Sequence, residues 1–173
     1  MPIKLDIVKP LFETSTLPGL GPERRDEALP LSVIEDDIDE VLAASNLAGD
    51  AADKVRSAAL LWHDHLDASH SISQEIRDSD GSFLHGIMHR REPDYPNANY
   101  WFHRAATHPS FVEIFKRAIT AGTEMEFLKQ STAWDPFAMV DAVSEARIGS
   151  ADYKQLQKLQ ALEVKALLEW FCR

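Results

Sequence analysis

The chain has 173 residues, 45% of them hydrophobic and 27% charged, as expected for a single soluble domain large enough to bury a core. Its net charge of −10 leaves no surplus of Lys or Arg to neutralise phosphates, which excludes nonspecific binding to nucleic acid or to an anionic membrane. The single cysteine, Cys172, rules out an internal disulfide and a cysteine-based zinc cage, and no run is long and apolar enough for a signal peptide or a membrane span. A cytoplasmic protein is the resulting expectation.

Five of the nine prolines fall in the first thirty residues, at positions 2, 10, 18, 22 and 30. Proline fixes φ and removes a backbone donor, so residues 1–30 are expected to form an extended arm. Its apolar residues (Ile3, Leu5, Ile7, Val8, Leu11, Phe12) suit an arm laid across the domain. Residues 31–173 then read as one all-α domain. Ser32 and Glu35 have capping-box spacing, and Leu31, Ile34, Ile38, Val41 and Leu42 recur with helical periodicity. The acidic run between Glu35 and Glu40 suits the first turns of that helix and a solvated face.

Asp50 opens a second helix running to about Trp62. Gly81 is expected to break the chain, with a third helix from about Ser82 to Arg91. Asp94 can cap a fourth, with Pro96 in its first turn, running to about Ala106. Pro109 stops that helix and starts a fifth, ended by Gly122. Asp135-Pro136 is another cap followed by a first-turn proline, with Trp134 packing as a staple. The last helix, Asp152 to Cys172, carries an apolar stripe of Leu156, Leu159, Leu162, Ala166, Leu167 and Trp170. That helix can seal the core or pair with a second copy, so the oligomeric state stays open. No stretch alternates as a strand does, and the fold class is a compact helical bundle.

The order Gly86, His89, Asp94-Tyr95, Ala98, Phe102, Ala105, Pro109 resembles a tetratricopeptide (TPR) repeat over residues 84–109. The resemblance implies two antiparallel helices that cross closely at small residues, an aromatic filling the gap after the turn, and a terminating proline. Pro93 stands where that family has its turn glycine, and His89 replaces an aromatic. A weaker second copy precedes it, with a turn at Asp64-His65-Leu66-Asp67. Leu66 and Tyr95 are 29 residues apart, short of the family's 34-residue period. The whole chain also resembles uncharacterised bacterial and fungal proteins through WHDHLD, HGIMHRREPDYPNANYWFHRAATHP and WDPF.

Between Phe83 and Pro109 lie four of the seven histidines. His85, His89 and Glu92 share one helix face at i, i+4 and i+7. His63, Asp67 and His70 repeat the spacing if the chain is helical across Asp64–Asp67. Two such faces in contact would offer His63, His70, His85 and His89 to zinc, iron or manganese. No other cofactor is expected: Gly19-Leu20-Gly21-Pro22 lacks the lysine and the preceding strand of a phosphate loop, and there is no Gly-x-Ser-x-Gly elbow. Against a metal, the histidines can simply fill space between helices. Recognition is the other reading: His85, His89, Arg91, Glu92, Asn97, Tyr100 and Arg104 combine planar donors, aromatic faces and an amide. In TPR-like repeats the inner face meets partner peptides, here His85, Met88 and His89. The function expected from sequence is therefore a helical module binding a peptide, a protein or a small anionic ligand. The alternative is a histidine-based, metal-dependent hydrolase or proton-transfer enzyme.

Overall fold

A computed structural model describes residues 4–173 and is all-helical among them. The α-helices are α1 (Lys4–Val8), α2 (Leu31–Ser45), α3 (Asp50–Trp62), α4 (Leu66–Ser73), α5 (Ser79–Arg91), α6 (Tyr95–Ala105), α7 (Phe111–Thr120), α8 (Glu126–Lys129), α9 (Pro136–Glu145) and α10 (Ala151–Phe171). A 3₁₀ turn, Lys9–Phe12, follows α1. No described helix is long and apolar enough to cross a membrane.

Local chemistry sets most helix starts. Asp94 accepts from Asn97 N–H, Asp135 from Phe137 and Ala138 N–H, and Ser150 from Tyr153 N–H, each satisfying donors that the first helical turn leaves free. The expected Ser32–Glu35 capping box is absent. Pro30 occupies the cap position of α2, which puts Ser32 inside the helix. Gly81 does not break the chain: Asp78 caps α5 by accepting from Gly81 N–H, and the helix starts at Ser79. Glycine is required at 81 by proximity, because a Cβ there would lie 2.2 Å from the Ile76 carbonyl oxygen.

The expected arm is only partly extended. Residues 4–12 are helical, and Glu13–Pro30 carries no regular structure but is bonded down along its length. Trp62 Nε1 donates to Thr14 Oγ1 (3.0 Å), Gln160 Nε2 to the Gly19 carbonyl (3.0 Å) and Tyr153 OH accepts from Leu20 N–H (3.0 Å). Val8, Leu11, Phe12 and Leu20 enter the same core as Trp62, Ile87, Phe102 and Leu167.

The helical hairpin expected around Pro93 is present, and α5 and α6 share the most extensive contact among the described helices. A Cβ on Gly86 would lie 2.6 Å from the Phe102 ring, so the close approach is between Gly86 and Phe102. α5 is buried nearly all round, from Asp80 to Arg91. Burial on every side requires its two arginines to find partners inside. Arg90 pairs with Glu163 and Gln160 of α10, and Arg91 with Asp64 and the Leu61 carbonyl.

Candidate functional site

Three of the four candidate metal histidines meet. His70 of α4 stands edge-on to His85 and His89 of α5, with ring centroids 4.7 and 5.2 Å away. His85 and His89, one turn apart, stack at 4.8 Å and 14°. One ring nitrogen from each of the three lies within 4.8 Å of the others. Tetrahedral zinc holds imidazole nitrogens at roughly 2.0–2.1 Å, which puts them about 3.4 Å from each other. To share one ion the nitrogens would have to draw in by about an ångström or more and the stacked rings of His85 and His89 to tilt toward each other.

His63, the fourth candidate, is elsewhere. Asp64 adopts φ 66°, and α3 ends before α4 begins, so the continuous helix that would align His63 with His70 does not exist. His63 instead donates from Nε2 to the Leu11 carbonyl at 2.8 Å and fixes the N-terminal segment.

The neighbours of the three histidines suit metal ligation. His85 is 2% exposed, and its Nδ1 meets no hydrogen-bond partner among the described residues. Burial, then the neighbouring His89 and His70, pushes its pKa down to about 3, so the ring is neutral at physiological pH, as a ligand must be. Burial also lowers His89, opposed by Glu92. Glu92 Oε2 sits 3.1 Å from His89 Nδ1, an outer carboxylate that holds the ring and leaves Nε2 as its other donor atom. Asn97 Nδ2 donates to that Nε2 at 3.2 Å, a bond that a metal on His89 would have to displace. The outer face of His85 is covered by Trp101, stacked at 3.9 Å and 10°, and Arg104 covers the next face of Trp101 at 5.4 Å.

The expected recognition face is only partly available. Arg91 is buried; its guanidinium spans Asp64 Oδ1 (2.8 Å), the Leu61 carbonyl (2.6 Å) and the Gly21 carbonyl (3.2 Å). It locks the α3–α4 turn and the N-terminal segment and cannot reach a ligand. Met88 is fully buried, so the inner face of α5 offers no surface to a peptide. Tyr100 is 53% exposed, and Arg104 lies over its ring at 5.9 Å.

Two further clusters had no sequence signal, because their members are far apart in the chain. Arg25 and Arg91 both pair with buried Asp64, and Arg25 also donates to the Trp62 carbonyl. Burial raises the Asp64 pKa, but the hydrogen bond from Arg25 and the charge of Arg91 outweigh it and hold the carboxyl below its ordinary value. In the second cluster, His108 Nδ1 accepts from Ser110 N–H (3.1 Å) and faces Ser110 Oγ (2.7 Å), while Nε2 donates to Asp80 Oδ1 (2.7 Å). Trp170 Nε1 (3.0 Å) and Lys54 Nζ (2.7 Å) also donate to Asp80. Burial pushes Asp80 up, and His108 with Lys54 brings it below its ordinary value. This hub ties α3, α5 and α10 to the start of α7.

No family model matches the chain, and neither does any curated protein or solved structure with which it was compared.

Proposed function

We propose that His70, His85 and His89 bind one divalent transition metal, zinc, iron or manganese, and that the protein works through this centre as a hydrolytic or proton-transfer enzyme. The observation that carries the reading is the meeting of three imidazole nitrogens from two helices within 4.8 Å. Three protein ligands are the pattern of catalytic rather than structural zinc, since they leave a position for water. A metal held by these three histidines would supply Lewis-acid chemistry and would make a bound water more acidic. Glu92 would act as a positioning residue through His89. The recognition reading is weakened by the burial of Arg91 and Met88.

The test is elemental analysis of protein purified without chelator, followed by titration of chelated protein with zinc and cobalt(II). One metal per chain is expected. His70→Ala, His85→Ala and His89→Ala should each weaken binding by about 100-fold or more, whereas His63→Ala should leave it unchanged. No stoichiometric metal, together with no saturable uptake of added zinc or cobalt, would remove the proposal.

A further inference from the structure

A cleft of about 430 Å³ lies on the far side of Glu92 from His89, and none of the three histidines lines it. Glu92 belongs to both: it contacts His89 and lines the cleft, as do Leu66, Asp67 and Ala68 from the turn of α4 that precedes His70. Arg24, His65 and Leu31 form other parts of the wall. His65 is buried, and its Nε2 faces the Leu29 carbonyl at 2.9 Å. A carbonyl only accepts, so Nε2 carries the proton, and Nδ1 is left to accept from Arg24 Nη2 at 2.9 Å. The guanidinium is thereby anchored by a neutral ring. No described carboxylate lies within ion-pair distance of it, in a chain of net charge −10.

Charge decides what this cleft holds. The buried carboxylate of Asp64 is offset by Arg25 and Arg91. With Arg24 against Asp67 and Glu92, cations and carboxylates around the cleft balance. A divalent ion on the histidines would make the region net positive. We infer that the cleft binds the enzyme's substrate, a small organic anion whose carboxylate or phosphate is forked by Arg24 and whose short apolar body lies on Leu31 and Leu66. This assignment rests on the metal centre proposed above and adds the class of substrate that reaches it. Arg presents paired N–H donors that match either oxyanion, and the free donors of Arg24 are those not given to His65.

The experiment uses full-length protein loaded with cobalt(II), whose visible absorption reports on the metal's surroundings. Hexanoate, hexyl phosphate and, as a neutral control, hexanol are titrated in. At least one anion should perturb the spectrum saturably, with hexanol inert. Arg24→Gln retains an amide donor for His65 but removes the charge. It should weaken the anion's dissociation constant by about tenfold or more, with cobalt affinity within about twofold of the parent chain, and Arg24→Lys should recover part of the loss. The better of the two anions names the headgroup. Cobalt bound normally, with an anion response that is absent, unchanged in Arg24→Gln or matched by hexanol, overturns this inference alone. Failure of cobalt to bind overturns the centre and, with it, the substrate assignment.

Discussion

The Trp101 indole lies face to face with the His85 imidazole, ring centroids 3.9 Å apart and planes within 10°. Stacking of this kind covers one face of the imidazole and excludes water from it. An ion seated on His85 therefore lies one ring away from an indole. Copper(II) or nickel(II) should quench Trp101, one of four tryptophans, and so remove a corresponding part of the total emission. Trp101→Phe should abolish most of the metal-dependent quenching while keeping the ion. His70→Ala should abolish it by losing the ion. Quenching that persists in Trp101→Phe would mean that the ion binds elsewhere.

Stability should depend on pH in two separate windows. Burial lowers the pKa of His63, His85 and His89 in the folded chain, His85 to about 3. Between their ordinary value of 6.5 and the depressed ones, the unfolded chain binds protons that the folded chain does not. Chelated protein should lose stability as pH falls below 6.5, by up to about 1.4 kcal/mol per pH unit for a ring that stays fully neutral in the fold. Asp64 and Asp80 act later. Both are held below 3.8, so their contribution is present above that value and is lost only as pH falls through it. Urea midpoints measured from about pH 7 to 5 should therefore report mainly the histidines, and His85→Gln should flatten the slope.

Asp64 carries two arginines, Arg25 and Arg91, with its side chain fully buried. Removing the carboxylate charge leaves both guanidinium groups uncompensated, a change that costs about 3–5 kcal/mol when a buried pair is broken. Asp64→Asn should be destabilised by that order in chemical denaturation. Limited proteolysis should then cut within residues 13–30, because Arg25 and Arg91 also hold the carbonyls of Thr16 and Gly21 in that segment. Asp64→Asn combined with Arg25→Met should recover part of the loss.

Features written in adjacent residues were legible in the sequence. Asp50, Asp94 and Asp135 begin or cap helices where their neighbours require it, and Pro93 separates α5 from α6. The i, i+4 pair His85 and His89 follows from helical geometry alone, and that is why two of the three histidines of the candidate site were visible. What failed depended on distant partners. The burial of Arg91 follows from Asp64, 27 residues away, and that of Arg90 from Glu163, 73 residues away. Choosing between His63 and His70 required knowing that Asp64 turns left-handed, a conformation stabilised by Arg25 and Arg91 rather than by its sequence neighbours. The cap of α2 went to Pro30 instead of Ser32 because the entering segment is held by tertiary bonds such as that from His65 to the Leu29 carbonyl.

Gly86 sets the spacing on which the site depends. An alanine there would gain about 1 kcal/mol in helix propensity. Its methyl, however, would sit 2.6 Å from Cε1 of Phe102, a ring that is fully buried and wedged edge-on against Phe83 at 5.8 Å and Phe137 at 6.4 Å. The ring cannot swing aside, so α5 and α6 must separate, and overpacking of this kind costs about 1–3 kcal/mol. The clash should win: Gly86→Ala is expected to be less stable than the parent chain by up to about 2 kcal/mol. Separation of the helices would also pull His85 and His89 away from Trp101 and Asn97, which lie across the same seam on α6, so metal affinity should fall with stability. Gly86→Ala with Phe102→Leu removes the obstructing ring and should recover both. A Gly86→Ala chain that is more stable than the parent would show that this seam has room to spare.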